Sequence, residues 1–182
     1  MTAPVVVKRP AYLLVPLSVG AVVAIALGVY GRVHHPTGKA LFPTPFKSFY
    51  ELKVWLTAIA VLFALVQLVT ALWMYGKLGR PAPSWTGTLH RTTGIIAFLL
   101  TVPVALHCLV SIGFMTTDAR VIAHSLLGCI FYGAFVAKIL TLHSRRVPGW
   151  ALPWVAGSLF TVLVAVGLTS AGWYFATIGI PT

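Results

Sequence analysis

The sequence predicts an all-α integral membrane protein, a five-helix transmembrane bundle. Three observations carry that reading. Apolar residues make up 59% of the 182-residue chain and charged residues only 8%, whereas soluble globular domains carry about 25% charged residues. Five apolar runs are each long enough to cross a hydrocarbon core of about 30 Å. Between them lie short stretches rich in Gly, Pro, Lys and Arg, so the apolar content belongs to several spans and not to one anchor.

The spans fall at about 11–30, 52–75, 88–114, 121–143 and 151–175, within one transmembrane domain covering 1–182. A basic leader with Lys8 and Arg9 precedes the first. That first run exceeds the apolar core of a secretory signal, about 7–15 residues, so it reads as a retained span. Ala24 and Ala26 supply the small-residue pair that a cleaved leader would need, and cleavage is the competing reading. The loop 31–50 holds Pro36, Pro43 and Pro45, which disfavour a continuous helix. Its aromatics Phe42, Phe46, Phe49 and Tyr50 are expected against the membrane surface. His34 and His35 are expected to face solvent, with a surface metal site or an electron-partner contact as the sharper alternative. Gln67 is the strongly polar side chain inside the second span and should bond across a helix interface, or else to a haem edge or quinone carbonyl. Loops at 76–87 and 144–149 carry Lys77, Arg80, Arg145 and Arg146, and the last span ends in the interfacial aromatics Trp173, Tyr174 and Phe175.

A net charge of +11 would suggest nucleic acid in a soluble chain. Here the basic residues flank apolar runs, which is the pattern that sets topology, so no nucleic-acid partner is expected. Their imbalance places the N-terminus in the cytoplasm and, with an odd number of spans, the C-terminus outside. Cys108 and Cys129 fall inside spans and are expected to stay free thiols. No C-x-x-C-H occurs, which excludes covalent c-type haem attachment.

The chemistry concentrates in the hairpin 88–146. His90 and His107 stand near the two ends of the third span, His124 and His143 near the two ends of the fourth. The separations are 17 and 19 residues, or about 25–28 Å at the α-helical rise. As antiparallel neighbours the helices would bring His90 level with His143 and His107 level with His124. Intramembrane histidines are costly and usually functional, and paired imidazoles are what haem iron takes as axial ligands. Gly94 and Gly128 lie four residues after His90 and His124, where a missing side chain would let a flat macrocycle approach the backbone. Ser125, Cys129, Gly133 and Ala137 form a small-residue stripe suited to helix contact. Arg91, Lys138, Arg145 and Arg146 near one face, and Arg120 near the other, are candidate partners for haem propionates, although a snorkelling Lys138 is equally expected. Tyr132 sits between the two levels as a packed aromatic, or as filler between two macrocycles.

On these residues the hairpin resembles membrane-bound b-type cytochromes of the cytochrome b561 and respiratory cytochrome b kind. The resemblance implies two non-covalent haem b groups with iron ligands His90, His143, His107 and His124. It also implies electron transfer between quinol or quinone and a partner redox protein. A quinone site is expected near His107 and His124, and other subunits of a membrane redox complex are expected partners besides the lipid bilayer. No catalytic side chain is assigned. The chain is also similar to small membrane proteins of high-GC bacteria, which implies a multi-pass protein of the bacterial plasma membrane. The competing reading is a non-catalytic anchor or assembly subunit of a respiratory complex, with one haem or none. A transporter is disfavoured because Glu51 and Asp118 lie at a helix start and in a turn, leaving no carboxylate at depth.

Overall fold

A computed structural model describes residues 8–42 and 45–181; Pro43, counted above among the loop-forming prolines, lies outside the described residues. The described residues form helices and loops without strands. After a 3₁₀ turn at Pro10–Leu13, the helices are α1 (Leu14–Val33), α2 (Phe49–Met74), α3 (Thr86–Leu106), α4 (Ala119–His143), α5 (Ala151–Gly167) and a short α6 (Trp173–Thr177). α3 continues into a π-helical segment, His107–Ile112, and a second π segment, Leu168–Gly172, joins α5 to α6. Five helical stretches are long and apolar enough to span a bilayer: Pro10–Val33, Phe49–Met74, Thr86–Ile112, Ala119–His143 and Ala151–Thr177. The predicted ends fall within three residues of these.

Local chemistry explains where the helices start and stop. Ser48 caps α2 by accepting from Glu51 N (3.3 Å), and the Glu51 carboxylate accepts from Lys47 N (3.2 Å), a capping box shifted by one residue. Asp118 caps α4 by accepting from Val121 N (3.0 Å). At the end of α3, Gly113 takes φ +78° and its N–H reaches Cys108 O (2.8 Å), a bond of π-type spacing. A side chain at Gly113 would also strike Pro36 Cγ at 2.9 Å, so the turn requires glycine.

Packing follows the small residues. α1 lies directly on α4: a Cβ added at Gly20 would meet the Gly133 carbonyl and, at 3.1 Å, Ala137 Cβ. Gly28 faces Cys129 along the same seam. The stripe on α4 is therefore a helix-contact surface for α1, as dispersion-driven packing in lipid favours. α2 joins α3 through Gln67, whose Nε2 donates to His90 O and to Thr93 Oγ1 (2.6 Å). Gly167 of α5 rests on Val61 of α2, and Phe131, Leu159, Leu163 and Ala64 form a shared core of α4, α5 and α2. The order around the bundle is thus α3, α2, α5, α4, α1, with the ring closed where Gly31 of α1 meets Leu109 and Phe114.

One expectation changes. α3 and α4 are consecutive, yet they form no continuous interface, because the small face of α4 is taken by α1 and that of α3 by α2. Side chains bridge them at mid-height. Tyr132 OH donates toward Thr101 O (2.9 Å), and Phe98 stacks on Phe135 with centroids 3.9 Å apart. Free cysteines are as expected: neither Cys108 nor Cys129 is in a disulfide.

Candidate cofactor site between the third and fourth helices

The splay of α3 and α4 leaves a cavity of about 300 Å³ at the end of the bundle that carries His107 and His124. That is the lower edge of the range for small-molecule sites, about 300–1,000 Å³. Its α3 wall is Val104, Ala105, Cys108 and Leu109, and its α4 wall is Val121, His124, Gly128 and Tyr132. Both π segments border it, through Cys108 and Ile112 on one side and Thr169 and Ser170 on the other. A π turn widens the helix and frees carbonyls from the α ladder, which suits a site.

Each predicted ligand histidine has its Nδ1 engaged. His107 Nδ1 lies 2.9 Å from Pro103 O and His143 Nδ1 2.9 Å from Ile139 O, in both cases the carbonyl one turn back. His90 Nδ1 lies 2.8 Å from Thr70 Oγ1 of α2, and His124 Nδ1 3.3 Å from Thr169 Oγ1. The threonine hydroxyls have one proton each. Thr70 Oγ1 also lies 2.7 Å from Val66 O and Thr169 Oγ1 2.8 Å from Ala165 O, so each hydroxyl proton has two acceptors within reach, the carbonyl one turn back and the imidazole. Carbonyls only accept, so His107 and His143 carry their proton on Nδ1 and keep the Nε2 lone pair, the form that ligates metals.

The surroundings of Nε2 differ among the four. His124 lines the cavity. His107 is fully buried outside the cavity lining: Phe42 meets its edge (4.6 Å), Phe49 stacks on it (5.7 Å), and its Nε2 accepts from Leu41 N (3.3 Å). The loop that roofs it is docked on the end of α3, with Thr37 N and Gly38 N bonding Val110 O and Ser111 O, both at 3.0 Å. His34 belongs to this dock and is half-buried, not solvent-facing: it stacks on Tyr30 and its Nε2 lies 3.2 Å from Val110 O. His35 is exposed. At the other end His90 is half-buried against α2 and His143 is exposed. The mid-height bridge sets the levels. His90 and His143 each stand eleven residues from the Thr101–Tyr132 contact, and His107 and His124 stand six and eight from it.

The two glycines also divide. Gly128 lines the cavity and has no atom within 4 Å of where a Cβ would stand. Gly94 faces α2 and its space is filled by Gln67, whose Oε1 lies 2.9 Å from an added Cβ. Arg120 lines the cavity and donates to Thr169 O (2.8 Å), while Arg91 and Arg145 are exposed and Lys138 is half-buried on α4. Sequence reasoning did not single out Thr70, Thr169 or Lys53 as site residues, and Lys53 lines the cavity from α2. Isolated threonines in apolar helices were the available signal. Among the described residues, no group of three or more His, Cys, Asp or Glu side chains is arranged to hold a metal ion; axial ligation of a macrocycle needs only one or two.

Fold and cavity together define a multi-pass, all-α membrane helix bundle with an internal ligand-sized cavity. The chain belongs to the DUF6529 family, a family of unknown function, which matches residues 13–182. No curated protein and no solved structure matches it.

Proposed function

We propose that this chain is a membrane redox subunit that holds haem b between α3 and α4 and passes electrons between quinol or quinone and a partner redox protein. The observation that carries it is placement: four histidines stand at the two ends of a splayed helix pair, and one of them, His124, lines an apolar cavity. The residues at the His124 end fit a macrocycle. The walls are mostly apolar, Gly128 leaves its face open, and His124 stands in the lining. Bound haem would supply one-electron chemistry at iron. The chain's own residues orient the imidazoles through Thr70 and Thr169, exclude water with the α3 and α4 walls, and meet carboxylates with basic side chains. On this reading His107 pairs with His124 once Leu41 N releases its Nε2, and His90 pairs with His143 for a second haem.

A second reading is a non-catalytic anchor or assembly subunit with one haem or none. The engagement of both His107 nitrogens and the exposure of His143 favour it. Haem content per chain separates the two. Protein purified from haem-replete cells should release its haem into acidic organic solvent. Single His→Ala variants at 107 and 124 should alter one and the same spectral component, and those at 90 and 143 the other. One haem per chain, lost only on changing His107 or His124, would confine the site to the cavity. Purified protein without haem would leave the anchor reading.

A further inference from the structure

The mouth of the cavity carries two cations from different helices. Lys53, in the second turn of α2, is half-buried and lines the cavity. Its Nζ sits 4.9 Å from the Tyr50 ring centroid and 3.7 Å from Cys108 Sγ. Arg120, in the first turn of α4, lies with its guanidinium 3.9 Å from the Trp173 ring centroid. Its Nη1 is fixed on Thr169 O, and its Nη2 is 4.0 Å from Asp118 Oδ2. Among the described residues Lys53 has no carboxylate within salt-bridge distance, and Asp118 is the one carboxylate near Arg120. Glu51 is turned away to Lys47 N.

Lys53, at the edge of an apolar cavity with no carboxylate of the described residues to neutralise it, is held at a cost that an anionic ligand would offset. Aromatic faces under both cations keep their long side chains ordered in the absence of an anion. The remaining cavity wall is apolar, so the ligand needs an apolar body with acidic groups at one end.

We propose that Lys53 and Arg120 form a two-cation clamp that fixes the orientation of the cavity's ligand by binding paired carboxylates at its mouth. The inference rests on the haem reading above, under which those carboxylates are the two propionates. On that reading Lys53 and Arg120 would hold the carboxylates at the mouth, and His124 in the cavity lining would supply an imidazole. Arg120 serves twice, because the carbonyl it holds belongs to Thr169, the residue that orients His124. Both residues are positioning residues.

The test is a titration of haem-free full-length protein in detergent micelles with haemin and with haemin dimethyl ester, which keeps the macrocycle and loses both negative charges. Wild-type protein should bind haemin at least tenfold more tightly than the diester. Lys53→Met and Arg120→Gln should each reduce that preference, and the double variant should abolish it. Lys53→Arg should keep the preference, which separates loss of charge from loss of fold. Equal affinity of wild-type protein for haemin and diester would overturn the clamp and leave the haem reading standing. Binding of neither by wild-type protein would overturn both.

Discussion

His124 Nδ1 of α4 lies 3.3 Å from the hydroxyl of Thr169, in the π segment that follows α5, and that hydroxyl is also 2.8 Å from Ala165 O. A residue on a neighbouring helical segment thereby orients the ring of a cavity-lining histidine. Thr70 stands in the same relation to His90, also from a neighbouring helix. Hydrogen bonds of this kind to a ligand histidine typically govern metal affinity by about 10- to 100-fold.

Replacing Thr169 with Val keeps the shape and removes the hydroxyl. We predict that T169V retains haem at least tenfold less well than wild type, while T169S retains it comparably. Haem bound per chain during stepwise dilution, read by absorbance, measures this. Unchanged retention in T169V would remove Thr169 from the site.

Gly128 and Gly133 are five residues apart on α4 and should respond oppositely. G133L would drive a side chain into the Gly20 backbone and separate α1 from α4, so thermal stability in detergent should fall steeply. G128L has open space at its Cβ, so the fold should hold while the cavity fills and haem binding is lost. Thermal melts of both variants, together with haem content, check the pair. A G128L protein that loads haem normally would place the macrocycle elsewhere.

Gln67 ties α2 to the start of α3 at His90 O and Thr93 Oγ1. Interhelical side-chain bonds in membranes are worth about 0.6 kcal/mol on average and about 1.7 at most. Q67L should therefore cost about 1–2 kcal/mol, since it also leaves Gly94 facing a bulkier branched neighbour. Unfolding in a denaturing detergent gives the value. A neutral outcome would mean that Thr93 and the lipid-facing carbonyls satisfy themselves.

The basic loops 76–87 and 144–149 predict sidedness. A reporter fused after Thr182 should read external, and one inserted at 77–84 should read cytoplasmic. The reverse pattern would invert the assignment of His90 and His143 to the cytoplasmic face and leave their levels within the bundle unchanged.

Helix number, helix ends and the α1–α4 stripe were legible because lipid leaves few solutions: long apolar runs must be helical, and small residues at every fourth position must pack. The polar contact of Gln67 was legible for the same reason. The splay of α3 and α4 was not, since hairpin neighbours are expected to touch and only three-dimensional competition for their small faces prevents it. The role of Gly94 was misjudged by proximity to His90 along one helix, when a glutamine from α2 fills the space. The π segments leave no periodicity to detect. The burial of His107 depends on where the loop 34–42 docks, and that is set by carbonyls at the end of α3 that no sequence pattern marks.

The seam between Gly20 and Gly133 joins residues 113 positions apart, whereas α2 and α3 pair across a single loop. During synthesis, α2 and α3 can dock as soon as both have entered the bilayer. α1 has only its end contact with Leu109 and Phe114 until α4 has been inserted. α1 is thus locked later than the α2–α3 pair, and the cavity wall on α4 takes its final position in the same event. In a bundle that closes in this order, the gap between α3 and α4 stays accessible until α1 seals the far side of α4.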